Sequence, residues 1–553
     1  MKTPLERFWL LLKPDNKDIY QVYTYAFFKG MIALSLPIGI QSIINLIQGG
    51  RVSASWIVLV FIVIVGIAMG GYMQLMQMRI TETIQQKIFA RAAFDFTYRI
   101  PKIKFEELYK HYAPELMNRF FDVLTVQKSL AKIIIDFSSA VLQIIFGLLL
   151  LSLYHPFFIL FSILLVVLVF SIIKYTSKKG LETALKESKY KYRVVSWLEE
   201  LARSKDTFKL AGITDLPQLK TDERVTGYIE SREKHYQVLR FQYVLLLIFK
   251  VIVAFGLLIA GGLLVLEQQM NIGQFVAAEI IILLVIDSTE KIIVNLDNIF
   301  DILSSLEKVG QVTDLDLEKD TADSSLQHVF NKPIEIDVNG LNYTYPGRTK
   351  SVIKNITYRF EAGRSYCISG SNGSGKSTLI HLLAGLYQPL SGSVCINGLP
   401  IGNYNIFELY KFIGNALAEE TIFEGTFYEN ISLGRDYIHS EDVKWAIEKV
   451  FLNDYIKMLP DGLDSPIEVS GQKLSKSVIQ KIILARSIVN KPKLILLENH
   501  IDFIEDSEEM KIIDFLTDKS NGWTLISVSN NSYLKQKSDV VMNMTDGGLV
   551  NNF

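Results

Sequence analysis

The chain has 553 residues, 49% of them apolar, and a mean hydropathy of +0.24, which is high for a protein dissolved wholly in water. At about 150 residues per unit that length allows roughly three or four domain-sized pieces. Fourteen Pro and 34 Gly exclude a collagen-like or low-complexity chain. The 57 Lys and Arg against 58 Asp and Glu leave a net charge of −1, without the basic surplus of a nucleic-acid binder. Two cysteines exclude a disulfide scaffold and a multi-thiolate metal cluster.

Hydropathy is concentrated in the first 300 or so residues. Apolar stretches run over Met31–Ile47, Trp56–Met69, Ile133–Leu153, Phe157–Ile173, Tyr243–Val265 and Phe275–Ile286. A spanning helix needs about 20 mainly apolar residues; the third and fifth stretches supply that alone, the others with their flanks. The short connectors Gln48–Ser55, Tyr154–Pro156 and Glu267–Gln274 pair the spans into three hairpins and carry one basic residue, Arg51. Basic residues crowd instead into Arg79–Lys128 and Lys174–Arg240. The positive-inside rule then puts the connectors outside and the long basic segments, with both termini, in the cytoplasm. Met1–Leu12 is a short amphipathic run ended by Pro14, unlike a signal peptide. Gly180–Ser204, with dense Glu and Lys and no proline, predicts helices that continue past the bilayer.

Charges within or beside the spans are costly in lipid and face a cavity or a partner. Asp136 and Lys250 each lie about 15–17 residues inside the outer end of their span, roughly 24 Å at helical rise. They either pair near the inner leaflet or snorkel there. Glu279 lies about 6 Å inside its outer end and is expected to line a pathway.

The acidic, polar run at 314–327 reads as a linker. The resulting organisation is a membrane domain at 1–310, a linker at 311–332 and an α/β domain at 333–553. In the last of these, short β-branched runs alternate with helical ones. Cys367 and Cys395 fall in strand-like parts of it, as expected of buried core thiols.

Gly370-Ser371-Asn372-Gly373-Ser374-Gly375-Lys376-Ser377 is a full GxxxxGK[ST] match. It follows a strand-like run, Ser365–Ser369, and opens a helix-like one, Thr378–Leu386. Glycines let successive backbone N–H groups turn onto phosphates, and the helix N-terminus adds its positive end. Lys376 would reach the terminal phosphates and the Ser377 hydroxyl would ligate Mg²⁺. The chain is therefore predicted to bind a nucleotide.

With this loop the chain resembles the exporter class of ATP-binding cassette transporters. It is similar to a half-transporter, with a membrane α-helical domain of six transmembrane helices followed by an α/β P-loop nucleotide-binding domain. Further marks are Tyr345-Pro346, the string Phe423–Ile431 (FEGTFYENI), Leu474-Ser475 ahead of Leu484-Ala485-Arg486, and the strand Leu494–Glu498. The resemblance implies a multi-pass protein of the cell membrane that binds ATP and Mg²⁺. It implies a homodimer or a heterodimer with another half-transporter, exporting a substrate by alternating access. Tyr345 would stack on adenine, Thr378 would join the phosphate loop, Ser475 would face nucleotide across the dimer, and Glu498 with Ser377 would hold the metal. Segments near Phe105–Asp122 and Phe208–Leu219 would transmit motion. No nucleic-acid partner is implied.

The chain departs from the family's pattern where hydrolysis is performed. Asn499 stands where the family has its catalytic Glu, Asn530 where it has the switch His, and Ala418 where it has the Q-loop Gln. Glu498 replaces the metal-binding Asp, the signature glycines become Lys476 and Ser477, and Glu505 takes the place of the D-loop Asp. An amide at Asn499 cannot accept the proton of an attacking water, and loss of a general base costs about 10²–10⁴ in rate. His500 is the one neighbouring group that offers a replacement base. Two functions stay open: a working exporter, or a pseudo-ATPase that binds nucleotide as the regulatory or structural partner of another transporter.

Overall fold

The computed structural model describes residues 3–49, 54–109, 113–318, 330, 332–418, 420–471, 473–501 and 504–551. Of the expected linker at 311–332, residues 319–329 and 331 lie outside the described residues, as do residues 50–53 of the first connector. Contacts divide the chain into two units: residues 1–102 with 111–315, and residues 103–110 with 316–553.

The first unit is helical. Among the described residues, six segments are long and apolar enough to cross a membrane: Pro4–Gln48, Ala54–Lys102, Pro114–Tyr154, Phe157–Arg203, Leu216–Leu266 and Ile272–Thr313. A helix of 47 residues such as Phe157–Arg203 is about 70 Å long, more than twice the roughly 30 Å hydrocarbon core. Each apolar stretch therefore continues into a charged extension of the same helix. The first segment is broken by a 3₁₀ turn at Lys13–Asp15, where Pro14 interrupts the backbone ladder. The third contains a π-helical turn, Ile133–Phe137.

Ile281, Ile282 and Val285 of the last helix are buried with Leu148, Leu165 and Leu246 in one apolar cluster. Outward, Ile57, Phe61, Ile62, Leu160, Ile163, Leu164, Ile252 and Phe255 are exposed. Apolar side chains on both the inner and outer faces mark helices that are solvated by lipid. Lys250 pairs with Glu290, so of the two alternatives left open for Asp136 and Lys250, an ion pair between them is not the one found. The fifth and sixth helices form a hairpin, and these residues stand 17 before and 19 after its turn at 267–271. Antiparallel packing thus brings them to one level. Asp136, on the π-helical turn, lies instead within electrostatic range of Lys29. Glu279 is half-buried.

The second unit is α/β. Its strands are β1 (Ile336–Tyr343), β2 (Ile353–Phe360), β3 (Ser365–Gly370), β4 (Ser391–Ile396), β5 (Leu399–Pro400), β6 (Ile413–Ala416), β7 (Gly425–Thr426), β8 (Pro466–Ile467), β9 (Leu494–Glu498), β10 (Thr524–Val528), β11 (Val540–Thr545) and β12 (Gly548–Asn551). One sheet runs β12-β11-β3-β10-β9-β6 and a second β2-β1-β4-β5. In the first, β11, β3, β10, β9 and β6 are parallel, and β12 is antiparallel to β11. Every residue of β9 and β10 is buried, as expected of parallel strands covered on both faces. Cys367 is fully buried in β3, but Cys395, on β4, is only half-buried, which corrects the expectation of two core thiols. The segment 103–110 belongs to this unit. Phe105 lies 5.5 Å from the Tyr387 ring, and Glu106 accepts a 2.8 Å bond from the Gln388 N–H.

Candidate nucleotide-binding site

Ligands of open α/β sheets bind beyond the carboxyl ends of the strands. β3 ends there between β11 and β10, and the phosphate loop follows it. The helix after the loop runs Lys376–Leu383, starting two residues before the sequence reading and ending three before it. Gly375, at φ +105°, supplies the turn into its first residue, and Gly385, at φ +75°, stops it. Gly370, at φ +144°, is the tightest point: a Cβ there would stand 2.3 Å from the Met544 carbonyl oxygen of β11.

The loop is closed on its own lysine. Lys376 Nζ donates to the carbonyls of Gly370 and Ser371, both at 2.8 Å. Burial pulls the Lys376 ammonium below its ordinary pKa, while the field of Glu498 raises it. Ser371, Asn372, Gly373 and Ser377 are exposed, whereas Ser374, Gly375 and Thr378 are buried. The Thr378 hydroxyl lies 2.8 Å from the Tyr345 hydroxyl. Tyr345 is half-buried and meets Tyr343 and Tyr387 edge-on at 5.2 and 5.7 Å. The arrangement fits a nucleotide. Backbone amides, a helix N-terminus and a cation converge on one loop, with an aromatic ring tied to its helix.

Glu498 and Ser377 are the residues expected on the metal side. Glu498 ends β9 with only 2% exposure, and its Oε2 accepts a 3.4 Å bond from the Ala418 N–H. A buried carboxylate with one long backbone bond retains acceptor capacity for Mg²⁺, with the exposed Ser377 hydroxyl as second ligand. These two residues would hold the ion, which when bound neutralises charge on the terminal phosphates.

The positions expected to carry hydrolysis are placed as follows. Asn499 is exposed and left-handed at φ +53°, a conformation Asn tolerates. Its N–H donates to the Val528 carbonyl. Asn530 is exposed just beyond β10. Ala418 is exposed and carries no polar side-chain atom. His500 is 6% exposed, with Nδ1 2.7 Å from the Glu498 carbonyl, a bond that holds the ring against the main chain.

Ser475 caps the helix Lys476–Ile488, its Oγ accepting from the Val478 N–H at 3.3 Å. Lys476 and Ser477 are thus the first two residues of that helix. Glu505 precedes the helix Asp506–Thr517; Asp502 and Phe503 lie outside the described residues.

Sequence reasoning missed a buried network next to Ala418. Arg486 donates from Nε to the Asn430 carbonyl at 2.8 Å and from Nη1 to the Thr421 carbonyl at 3.0 Å. Glu420 lies 3.6 Å from it. Burial raises the Glu420 carboxyl to about 7, with Arg486 opposing. The available signal was an arginine inside the apolar run Ile482–Ile488, since a buried guanidinium demands acceptors. The string Phe423–Ile431 folds as β7 and a short helix. Its Thr426 and Glu429 form a reciprocal capping box, worth about 0.5–2 kcal/mol at the cap residue.

Comparison with known proteins agrees with this construction. The family described as "ABC transporter transmembrane region" matches residues 23–288, and "ABC transporter" matches residues 353–500. The chain is 30% identical over 221 residues to the ATP-dependent permease MDL1 of Candida albicans, covering 39% of this chain and 32% of that protein. It is 27% identical over 247–250 residues to proteins of this kind such as the ATP-dependent lipid A-core flippase of Pseudomonas fluorescens, covering 45% of this chain and 41% of the flippase. The chain thus spans between about a third and a half of the length of these relatives. In fold it is similar to a bacterial Atm1-family ABC exporter with ATP bound, with a TM-score of 0.81, 17% identity, and coverage of 97% of this chain and 94% of that one. With one description matched on the apolar helices and the other on the phosphate-loop domain, this multi-pass membrane protein belongs to the ATP-binding cassette transporter family, as a half-transporter of the exporter fold.

Proposed function

We propose that this chain is a transport subunit that binds Mg²⁺ and ATP on its phosphate loop, works as one half of a dimer, and turns ATP over slowly with its own residues. The observation that carries this reading is an assembled phosphate cradle around Lys376 beside a β9 end where Asn499 replaces a carboxylate. Lys376 and the loop amides hold the terminal phosphates, Ser377 and Glu498 hold the metal, and Tyr345 offers its ring to adenine. Asn499, Ala418 and Asn530 present no carboxylate, imidazole or Gln amide to orient and deprotonate water, and His500 is turned to the main chain. The dimer is supported by exposed apolar residues at the far end of the helical unit, Leu210, Ile213, Leu216 and Leu219, which a second copy or a related half-transporter would cover. The cassette and both termini lie on the cytoplasmic side, as the basic helix extensions favour.

A second reading follows from Lys476 and Ser477. Their side chains open the helix Lys476–Ile488 where the family has glycines, so a partner's nucleotide would meet bulk at this surface. The chain is then a nucleotide-binding regulatory or structural subunit. The two readings part on turnover by the full chain in lipid: slow phosphate release above the Lys376→Ala background supports the first, and ATP binding with no release above that background supports the second. Binding that is lost in Lys376→Ala supports both. Turnover at an ordinary rate in the native chain, abolished by Lys376→Ala, rejects slow hydrolysis and the regulatory reading together.

A further inference from the structure

The charged ends of the membrane helices line an open cavity of ≈ 610 Å³ within the first unit. Six cationic side chains line it against three carboxylates, a surplus of three positive charges. One of those carboxylates, Glu200, is turned to Arg203 at 2.6 Å, so the surplus seen from inside is larger still.

Two of the cations are buried. Arg119 is 7% exposed and Lys308 9%. Arg119 stacks on Tyr192, its guanidinium carbon 3.7 Å from the ring centre, and reaches Gln311 at 3.2 Å and Glu115 at 3.3 Å. Its remaining nitrogen, Nη1, is buried without a hydrogen-bond partner among the described residues. The nearby buried carboxylate that would satisfy it, Asp122, instead accepts from the Tyr192 hydroxyl and faces Lys191 at 3.6 Å. Lys308 Nζ lies 5.4 Å from the same Tyr192 ring, and no ion pair joins it to a carboxylate among the described residues. At the rim Lys220 and Arg224 lie 5.2 and 4.9 Å from the Trp197 ring. A buried ammonium such as Lys308, without a carboxylate partner among the described residues, costs free energy that an anion recovers.

We infer that this cavity binds a soluble phosphate-bearing anion. A planar guanidinium fork beside ammonium groups matches phosphate oxygens in number and geometry, and the volume lies in the range of about 300–1,000 Å³ usual for small-molecule sites. The depth selects a soluble source over a lipid headgroup. Trp197 follows Ile173, the end of its apolar stretch, by 24 residues of one continuous helix, about 36 Å at helical rise. That is well beyond the headgroup layer. The site needs neither turnover nor ATP at the cassette.

The test uses the full chain in nanodiscs of phosphatidylcholine, carrying Lys376→Ala to silence the phosphate loop, titrated calorimetrically with inorganic pyrophosphate. One saturable binding event is expected, weakening as salt rises. Lys308→Met, which keeps the stem over Tyr192, should weaken it about tenfold or more. Arg119→Lys, which keeps the charge without the fork, should weaken it as well. If Arg119→Lys fails to fold, Lys308→Met and the rim variant Arg224→Gln decide the matter. The absence of saturable heat, or an affinity that Lys308→Met and Arg224→Gln leave unchanged, overturns the assignment. Citrate binding as tightly as pyrophosphate overturns the phosphate preference. Loss of pyrophosphate binding in discs that contain an anionic phospholipid overturns the soluble source.

Discussion

Replacing Gly370 by Ala asks whether the phosphate loop has the backbone described above. Gly370 has φ +144°, outside what an L side chain adopts, and an added Cβ would lie 2.3 Å from the Met544 carbonyl oxygen. The dihedral alone costs about 1–3 kcal/mol. Met544 is the register partner of Gly370 on β11, so it cannot retreat without opening the end of that pairing, for about 1–3 kcal/mol more. A total of about 2–6 kcal/mol lowers the unfolding temperature of a domain of this size by roughly 4–24 °C. Gly402→Ala is the control, because nothing lies within 4 Å of its added Cβ and its φ is ordinary. The assay is thermal unfolding of the full chain in lipid, followed by fluorescence of the cassette residues Trp445 and Trp523 against variants that remove Trp9, Trp56 and Trp197. ATP affinity is read in parallel. Gly370→Ala should melt earlier and lose ATP binding while Gly402→Ala behaves as native. Equal melting of the two variants refutes the strained loop.

Two further outcomes are expected. Glu420 has its carboxyl raised to about 7 by burial, above the unfolded value of about 4.3. The folded state therefore holds a proton that the unfolded state has released between those values. That contribution is fully present below about pH 4 and is lost as pH rises through about 7, about 4 kcal/mol at 1.36 kcal/mol per unit; Glu420→Gln should flatten this slope in a pH series of unfolding curves, and an unchanged slope contradicts it. In the membrane helices, Lys250→Glu or Glu290→Lys alone should lower folded yield and thermal stability, and the double reversal should recover roughly 0.5–3 kcal/mol of coupling; a double variant as weak as the sum of the singles would exclude the pair.

The contrast between Lys376 and Lys250 explains what could be read from sequence. Lys376 lies within a local motif: strand, glycine turn and helix N-terminus lie within about a dozen residues, so spacing specified its neighbours. Asn499, Ala418 and Asn530 were placed for the same reason, each lying just beyond a recognisable strand. Lys250 was visible as a charge in an apolar run, but its partner depends on the turn and rotation of two helices, and those bring in Glu290 rather than Asp136. Arg119 and Lys308 are 189 positions apart and meet over the ring of Tyr192, a convergence no local pattern encodes. The burial of His500 was likewise set by the sheet behind it, which left its Nδ1 on a carbonyl instead of toward a substrate.

Slow turnover on an intact nucleotide site is tested most directly by phosphate release from the full chain in lipid, compared among the native protein, Asn499→Glu and Lys376→Ala. Enzymes of ordinary competence turn over at about 1–10³ s⁻¹, and loss of the general base removes about 10²–10⁴ of that. The native chain should bind ATP yet release phosphate near the Lys376→Ala background. Asn499→Glu should raise the rate without restoring it fully, because Ala418, Asn530, Lys476 and Ser477 remain. Ordinary turnover by the native chain that disappears in Lys376→Ala would contradict the account.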